Sequence, residues 1–431
     1  MTPLIAIALL IISLVGCMIL HLDLIYGLLV GMVVFTAAAL HAGFSFKAVI
    51  RMMWNGIREA VIVIGVLLLI GSLTGIWRGC GTIQLLVLYG TELIHPHFFI
   101  LFAFLLPVAI SYLIGTSFGT AGTIGVVMMT LCSISGADPI LTGGAVMSGI
   151  YFGDRASPAS SCANLNAYLT RTDLYKNVKL MLKDSLPAAL ITVVLYGVLS
   201  FMNPLQRVDT GVLDSLRADY NLSPLLLIPA VIVLAAPLFK LNIRIAIGLS
   251  IISASVLALT VQGMGFGELV RTLLFGYQAK GDLSEVLSGG GMFSMTHSMI
   301  MIVISATFSG IFNGTNMLSP LQDEFGKFAE KQTLLRMTAL SGLPMIMFSC
   351  NQTLALMLQV PLIRPIYEKR GSDNERLMLD VSNTTVLFSG LVPWCLASSM
   401  PREVLGLSAA CLPLAFYLYL PGLVSIVRDK K

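Results

Sequence analysis

The stretch YFGDRASPASSCANL, residues 151–165, sets two charged side chains among glycine, proline and small polar residues. These two residues, Asp154 and Arg155, lie in a chain that is otherwise almost all hydrocarbon. Charges are unfavourable at the depth of a bilayer, and non-helical backbone is tolerated there only where it lines a cavity or is buried in protein. The stretch therefore predicts a broken membrane helix that carries a site for an ion or solute.

The composition places the rest of the chain in lipid as well. Of the 431 residues, 56% are hydrophobic and 11% are charged, and the mean hydropathy is +0.89. This leaves too little polar surface to cover a soluble globule. A spanning helix needs roughly 20 residues, and uncharged runs close to this length recur along the sequence. We expect an all-α polytopic membrane protein with about eleven or twelve membrane segments, some of them broken or re-entrant.

Lysine and arginine cluster in short loops, which predicts the orientation in the membrane. The clusters are residues 171–183, residues 364–376 and the tail with Arg428, Lys430 and Lys431. Because cytoplasmic loops carry an excess of these residues, we expect a multi-pass protein of the cell (inner) membrane with a cytoplasmic C-terminus. The clusters are short, separate and next to membrane segments, so they do not indicate nucleic-acid binding.

The chain also resembles itself, with a first half that starts near residue 22 and a second near residue 241. Each half contains two polar breaks in apolar helices: GTSFGTAGTIG (115–125) and residues 153–165 in the first, SCNQT (349–353) and DVSNTT (380–385) in the second. Duplicated halves with interrupted helices are typical of secondary transporters, whose site lies between the repeats. We expect a first transmembrane helix over 1–21 and two repeats over 22–222 and 223–431, inverted if each repeat holds an odd number of spans.

The breaks supply the candidate binding residues, because unwound backbone and half-helix ends can hold a desolvated cation or a carboxylate. A carboxylate at Asp154 can alternate between a proton and a cation. Two alternatives stay open: Arg155 could form a structural pair with it, and the small residues could merely allow close helix packing. The candidates are Asp154, Ser157, Ser160, Ser161, Asn164, Thr116, Ser117, Asn351, Gln352, Thr353, Ser382, Asn383 and Thr384. Asp154 and His297 are the candidate proton-relay residues, and His297 could instead be a packing residue.

Several other functions are disfavoured. The chain has no phosphate-binding loop, which argues against an ATP-driven pump, and the order of its serines, His297 and Asp154 does not indicate a hydrolase triad. The breaks are paired and lack a ring-like filter motif, which disfavours a channel. The scattered cysteines have no metal-ligand spacing. We therefore expect neither an enzyme, nor a cofactor, nor a resident metal.

Residues 151–165, together with LVPW (391–394) and PLIRPIYEKRG (361–371), resemble the NhaC-type sodium/proton antiporter family of the ion-transporter clan. The resemblance spans most of the chain. It implies an inverted-repeat fold with re-entrant elements, and transport driven by an ion gradient.

The sequence departs from the family pattern where a cation would bind. Aspartates are usual at the positions of Ser161 and Asn351, and an acidic pair is common at those of Ser382 and Asn383. The resemblance therefore allows two functions. The first is exchange of sodium, or another monovalent cation, for protons through Asp154, by alternating access. The second is sodium- or proton-coupled transport of a small organic carboxylate or amino acid. A homodimer is left open.

Overall fold

A computed structural model describes the chain over residues 3–205, 216–218, 220–239, 241–279, 284–315 and 332–428. These residues are almost all helical, with one isolated antiparallel bridge between Tyr277 and Gly289. Lys430 and Lys431, two of the tail residues on which the predicted orientation rests, lie outside this part of the chain. The all-α polytopic fold that the sequence predicts is confirmed.

The first half consists of ten helices over the described residues. They are α1 (Pro3–Ile19), α2 (Leu24–His41), α3 (Phe46–Cys80), α4 (Thr82–Leu93), α5 (Phe99–Ile114), α6 (Ser117–Thr120), α7 (Val126–Ser135), α8 (Pro139–Ala156), α9 (Ser161–Thr170) and α10 (Leu174–Met202). A π-helical turn, Ala121–Gly125, joins α6 to α7 into one continuous segment.

The second half again contains ten helices in its described part. They are α11 (Ile228–Ala235), α12 (Ile243–Thr260), α13 (Phe266–Phe275), α14 (Ser284–Leu287), α15 (Thr296–Thr315), α16 (Leu334–Ser349), α17 (Gln352–Lys369), α18 (Asn374–Val381), α19 (Leu396–Val404) and α20 (Leu420–Arg428). A second π-helical turn, Ser382–Val386, follows α18.

Within the described ranges, seven helical segments are long and apolar enough to cross a membrane: Leu24–His41, Phe46–Cys80, Pro96–Ile114, Ser117–Ser135, Leu174–Met202, Ile243–Thr260 and Met292–Thr315. Shorter apolar helices run over Ile5–Ile19, Pro224–Ala235 and Leu334–Ser349. Broken and short helices fall below the length of a full span, so the total of eleven or twelve membrane segments stays a prediction.

The first polar breaks of the two halves have the same backbone geometry. Helix α5 ends at Gly115 (φ 76°), and Thr116 (φ −146°) leads into α6. Helix α16 ends at Cys350 (φ 53°), and Asn351 (φ −144°) leads into α17. Each break is thus one left-handed residue followed by one extended residue, and each follows a helix of 16 residues. A left-handed residue is a common helix stop, but a side chain such as that of Cys350 is rare there.

Of the two second polar breaks, the one in the first half agrees with the prediction and the one in the second half does not. In the first half the backbone is extended at Ser157 and Ser160, as expected. In the second half, residues 382–385 remain helical within the π-helical turn, and the non-helical stretch comes later, at residues 389–395. The reason is local: the Thr384 hydroxyl donates to the Asp380 carbonyl at 2.6 Å, a bond that serine and threonine make inside helices.

Helix α8, which contains Asp154, packs closely against α5 through small residues. An added Cβ at Gly153 would lie 1.9 Å from the Ser111 carbonyl oxygen, so only glycine fits this contact. The Ser111 hydroxyl donates to the Gly149 carbonyl at 2.9 Å and accepts the Gly153 N–H at 3.0 Å. Small residues and interhelical hydrogen bonds are the usual means by which membrane helices pack closely. They fix the end of α8 before the second break.

Candidate ion and solute site

Asp154 lies in the last turn of α8 and is 6% exposed. Two groups face its carboxylate: the Gln352 side-chain amide, with Nε2 3.5 Å from Oδ2, and the backbone N–H of Ser117. Ser117 is the first residue of α6 and Gln352 the first of α17. The carboxylate thus lies at the N-terminal ends of two helices, one from each half, where partial positive charge favours an anion.

Gln352 connects this carboxylate to the π-helical turn of the second half. Its Nε2 also donates to the Val386 carbonyl at 3.0 Å. Over the described ranges, its amide oxygen takes part in no hydrogen bond. Carboxylate and amide oxygens are the ligands that hard cations prefer in proteins. Asp154 and Gln352 can therefore offer two oxygens to a desolvated cation.

Arg155 does not pair with Asp154. Its guanidinium, fully buried, donates through Nη1 to the Met181 carbonyl at 3.1 Å and through Nη2 to the Asn383 side-chain oxygen. Nη2 also lies 3.9 Å from Oδ2 of Asp184. In the part of the chain that the structure describes, Asp154 has no ion-pair partner. The structural pair that the sequence left open is therefore not formed.

Ser157 and Ser160 stabilise the break after α8. The Ser157 hydroxyl donates to the Tyr112 carbonyl at 2.7 Å, and the Ser160 hydroxyl donates to the Asp154 backbone carbonyl at 2.5 Å. Ser160 also caps α9. Ser161 and Asn164 lie on the exposed side of α9, with the Asn164 amide on the Ser160 carbonyl at 2.7 Å. Ser157, Ser160 and Asn164 stabilise the break, and hydrogen bonds already occupy the hydroxyl protons of the two buried serines.

Thr353 lines a cavity near the site, and the other remaining candidates fall into two groups. Thr116 and Asn351 are the extended residues before α6 and α17, so they lie next to the two residues that face Asp154. Ser382, Asn383 and Thr384 are buried in helix contacts, with the Ser382 hydroxyl accepting from Asn166 at 2.8 Å. The second group therefore supports the helices around the site.

A cavity of about 330 Å³ lies between α3, α15 and the break after α16. All of its lining residues are uncharged. Its polar lining residues are Ser305, Ser309, Asn313, Ser349, Asn351 and Thr353. Cavities of this volume are at the small end of those that hold organic ligands. The cavity shares Asn351 with the break that positions Gln352.

His297 lies at the start of α15, in contact with two carboxylates. Its Nε2 is 2.9 Å from Oδ2 of Asp23, and its Nδ1 is 3.6 Å from Oε2 of Glu403. Burial raises the pKa of Asp23, but hydrogen bonds from the Ile25 N–H and from His297 outweigh it and leave that pKa below its ordinary value. The contacts of His297 link α2, α15 and α19, and its role as a proton relay stays a prediction.

Sequence reasoning missed several residues near the site, among them Ser309 and Asn313 of the cavity and Asp184 beside Arg155. Asn313 carried a signal, since it lies in a GIFNG stretch (310–314) that matches GIWRG (75–79) of the first half. Asp184 directly follows the basic cluster over residues 171–183, so it reads as part of a solvated loop.

The broken helices, the buried carboxylate and the uncharged cavity define a multi-pass membrane transporter. The profile of the Na+/H+ antiporter family matches residues 1–149 and 149–427. The chain belongs to this family, and the resemblance that the sequence motifs indicate is confirmed.

Curated relatives include a malate-2H(+)/Na(+)-lactate antiporter of Bacillus subtilis, 29% identical over 85% of this chain and 80% of the relative. The Na(+)/H(+) antiporter NhaC of the same organism is 27% identical over 96% of this chain and 94% of its own length. The arginine/ornithine antiporter ArcD of Halobacterium salinarum is 26% identical over 95% of this chain and 86% of the relative. These proteins are transporters and not enzymes, as the sequence predicts for this chain.

Proposed function

We propose that the protein exchanges sodium, or another monovalent cation, for protons, and that Asp154 is the group that carries either one. The observation that carries this proposal is the buried Asp154 carboxylate, without an ion pair in the described chain, facing Ser117 and Gln352. A carboxylate in this setting can be neutralised by a proton or by a cation, but not by both at once. Binding of one expels the other, which is the chemistry of antiport.

The two-repeat organisation over 22–222 and 223–431 is part of this proposal. The matched breaks at Gly115–Thr116 and Cys350–Asn351 support it, because each ends a helix of 16 residues with the same pair of conformations. In this arrangement Ser117 and Gln352 are equivalent residues that contact Asp154 from opposite repeats. Rocking or sliding of one part against the other would then expose the carboxylate to each side in turn.

The charge pattern supports the proposed orientation in the membrane. The clusters over residues 171–183 and 364–376 support a cytoplasmic location for the loops that contain them, and the basic tail supports a cytoplasmic C-terminus. We propose that the chain lies in the cell membrane in this orientation. A homodimer stays a prediction.

The direct experiment uses purified protein in liposomes that contain a pH-sensitive dye. Sodium, lithium or potassium is added under an imposed proton gradient, and proton movement is recorded. Proton movement on addition of sodium or lithium is the expected result. If correctly inserted protein showed no proton movement on addition of any of these cations, the cation/proton proposal would be refuted.

Substitution Gln352→Ala tests the second oxygen of the site. We expect the KM for sodium to rise roughly tenfold, since one neutral ligand and one contact to the Asp154 carboxylate are lost together. The maximal rate should change less, because Asp154 remains. Gln278→Ala, at an exposed position, is the control. A KM equal to that of the unmodified protein would exclude Gln352 from the site.

The cavity favours a second function, sodium- or proton-coupled transport of a small organic carboxylate or amino acid. A bare cation does not require about 330 Å³. Over the described ranges, the side chains of Ser309, Asn313 and Thr353 have no hydrogen-bond partner and can bind a polar solute. The names of two relatives mention organic solutes: malate and lactate in one, arginine and ornithine in the other.

Substitution Ser309→Leu tests this second function by filling the cavity. If an organic solute binds there, its uptake into liposomes should fall to background, because the larger side chain excludes the solute and removes a hydroxyl. Cation-driven proton movement should persist, since Asp154 is unchanged. The measurement is counterflow of radiolabelled lactate, malate or alanine in the same liposome preparation. Equal uptake by both proteins would place organic binding outside the cavity.

A further inference from the structure

Arg155 is a buried cation beside the proposed cation site, and its positive charge has to be balanced. Its side chain is 0% exposed. Among the described carboxylates, only that of Asp184 is paired with it, at 3.9 Å. Asn383 bridges the two residues: its side-chain oxygen accepts from Arg155, and its Nδ2 donates to Oδ2 of Asp184 at 2.7 Å. A buried guanidinium without such partners would be strongly destabilising.

The position of Arg155 makes this balance relevant to transport. It directly follows Asp154 on the last turn of α8. An uncompensated guanidinium there would either turn toward the Asp154 carboxylate or repel an incoming cation. Both outcomes oppose cation binding, because a positive charge in a medium of low dielectric acts strongly on its neighbours.

Asp184 is itself held in place from the other side. The Arg428 guanidinium lies 3.3 Å from its Oδ1, and the Ser425 hydroxyl oxygen accepts from Nδ2 of Asn383 at 2.9 Å. A small cavity of about 50 Å³ borders Asp184 and Asn383, which is room enough for water. The Asp184 side chain is 23% exposed, whereas that of Arg155 is fully buried.

We propose that Asp184 is a positioning residue of the transport cycle. Through Asn383 it holds the Arg155 guanidinium toward α10 and the π-helical turn, and so keeps Asp154 available to the transported cation. The inference rests on the proposed function, since it presumes that Asp154 binds the cation. It assigns a transport role to a residue of α10 that no polar break of the sequence contains.

The test exchanges the carboxylate of Asp184 and the amide of Asn383, which moves the negative charge from position 184 to position 383. Three proteins are compared in the liposome assay: Asp184→Asn, the double variant Asp184→Asn with Asn383→Asp, and the control Asp173→Asn. The double variant conserves the net charge and presents a carboxylate directly to Arg155. Asp173 caps the same helix α10 at an exposed position, and asparagine caps a helix equally well. Folding is checked by gel filtration in detergent.

For Asp184→Asn we expect the KM for sodium to rise roughly tenfold or more, with the pH profile of exchange moved to lower pH. The shift arises because an uncompensated positive charge beside Asp154 opposes both sodium and the proton. The double variant should return KM and pH profile toward those of the unmodified protein, and Asp173→Asn should not change them. A merely structural role would lower the amount of folded protein without moving the pH profile.

Two results would overturn the inference: a normal KM and pH profile for Asp184→Asn, or no recovery in the double variant when it is folded. If Asp184→Asn does not fold, Asp184→Glu keeps the charge and should retain the pH profile; a shifted profile in that protein would also refute the proposal. Normal exchange by Asp154→Asn, measured in parallel, would instead refute the proposed cation site itself.

Discussion

Asp154→Asn is expected to reduce cation-driven proton movement to the level of empty liposomes. Asparagine keeps the size of the side chain and can still interact with Gln352, but it can neither take up a proton nor neutralise a cation. The loss should be complete at every pH, because a change of pH cannot replace the missing titratable carboxylate. Insertion and thermal stability should be retained, since a neutral amide is more easily buried than a carboxylate.

The matched control is Asp138→Asn, on the same helix. Asp138 caps the N-terminus of α8, where its carboxylate accepts the Ile140 N–H at 2.7 Å and the Leu141 N–H at 3.1 Å. Asparagine is an equally good N-cap, so this protein should exchange normally. Normal flux through folded Asp154→Asn would remove Asp154 from the mechanism and require another group to carry the proton and the cation.

Much of the candidate site could be predicted from the sequence because charged residues are conspicuous among apolar ones. Asp154 stands out within residues 151–165, and polar residues in apolar runs identify Ser117 and Gln352 as candidates. Their meeting at one carboxylate could not be predicted, since it depends on how two breaks far apart in the chain pack together. The sequence could show that each helix breaks, but not which side chain faces which helix end.

The partners of Arg155 illustrate the same limit. From sequence, the neighbouring Asp154 is the obvious counter-charge. In the structure, successive residues of a helix point in different directions, so Arg155 reaches Asn383 and Asp184 instead. Adjacent opposite charges in a membrane helix therefore need not form a pair.

The second break of the second half shows what composition cannot distinguish. Serine, threonine and asparagine at residues 382–385 are equally compatible with unwound backbone and with a helix whose polar side chains bond locally. The structure has the latter, as a π-helical turn, a distortion that is frequent at functional sites. The Val386 carbonyl at the end of this turn accepts from Gln352, so the turn contributes to the site through its backbone.

Gly153→Ala is expected to lower the stability of the protein more than any other single methyl group added near the site. The new Cβ would lie 1.9 Å from the oxygen and 2.0 Å from the carbon of the Ser111 carbonyl. These are backbone atoms, so the clash is relieved only if α5 and α8 separate. Overpacking of this kind destabilises by about 1–3 kcal/mol or more. Exchange should also fall sharply, because Asp154 is the next residue and moves away from Ser117 and Gln352.

The measurement is the thermal midpoint in detergent, followed by the liposome assay on the folded fraction. Gly197→Ala on α10 is the control, because no atom lies within 4 Å of its added Cβ. In a helix, alanine is more favourable than glycine by about 1 kcal/mol, so the control should be as stable as the unmodified protein or slightly more so. If Gly153→Ala behaved like this control in both measurements, the close contact of α5 and α8 would not be what positions Asp154.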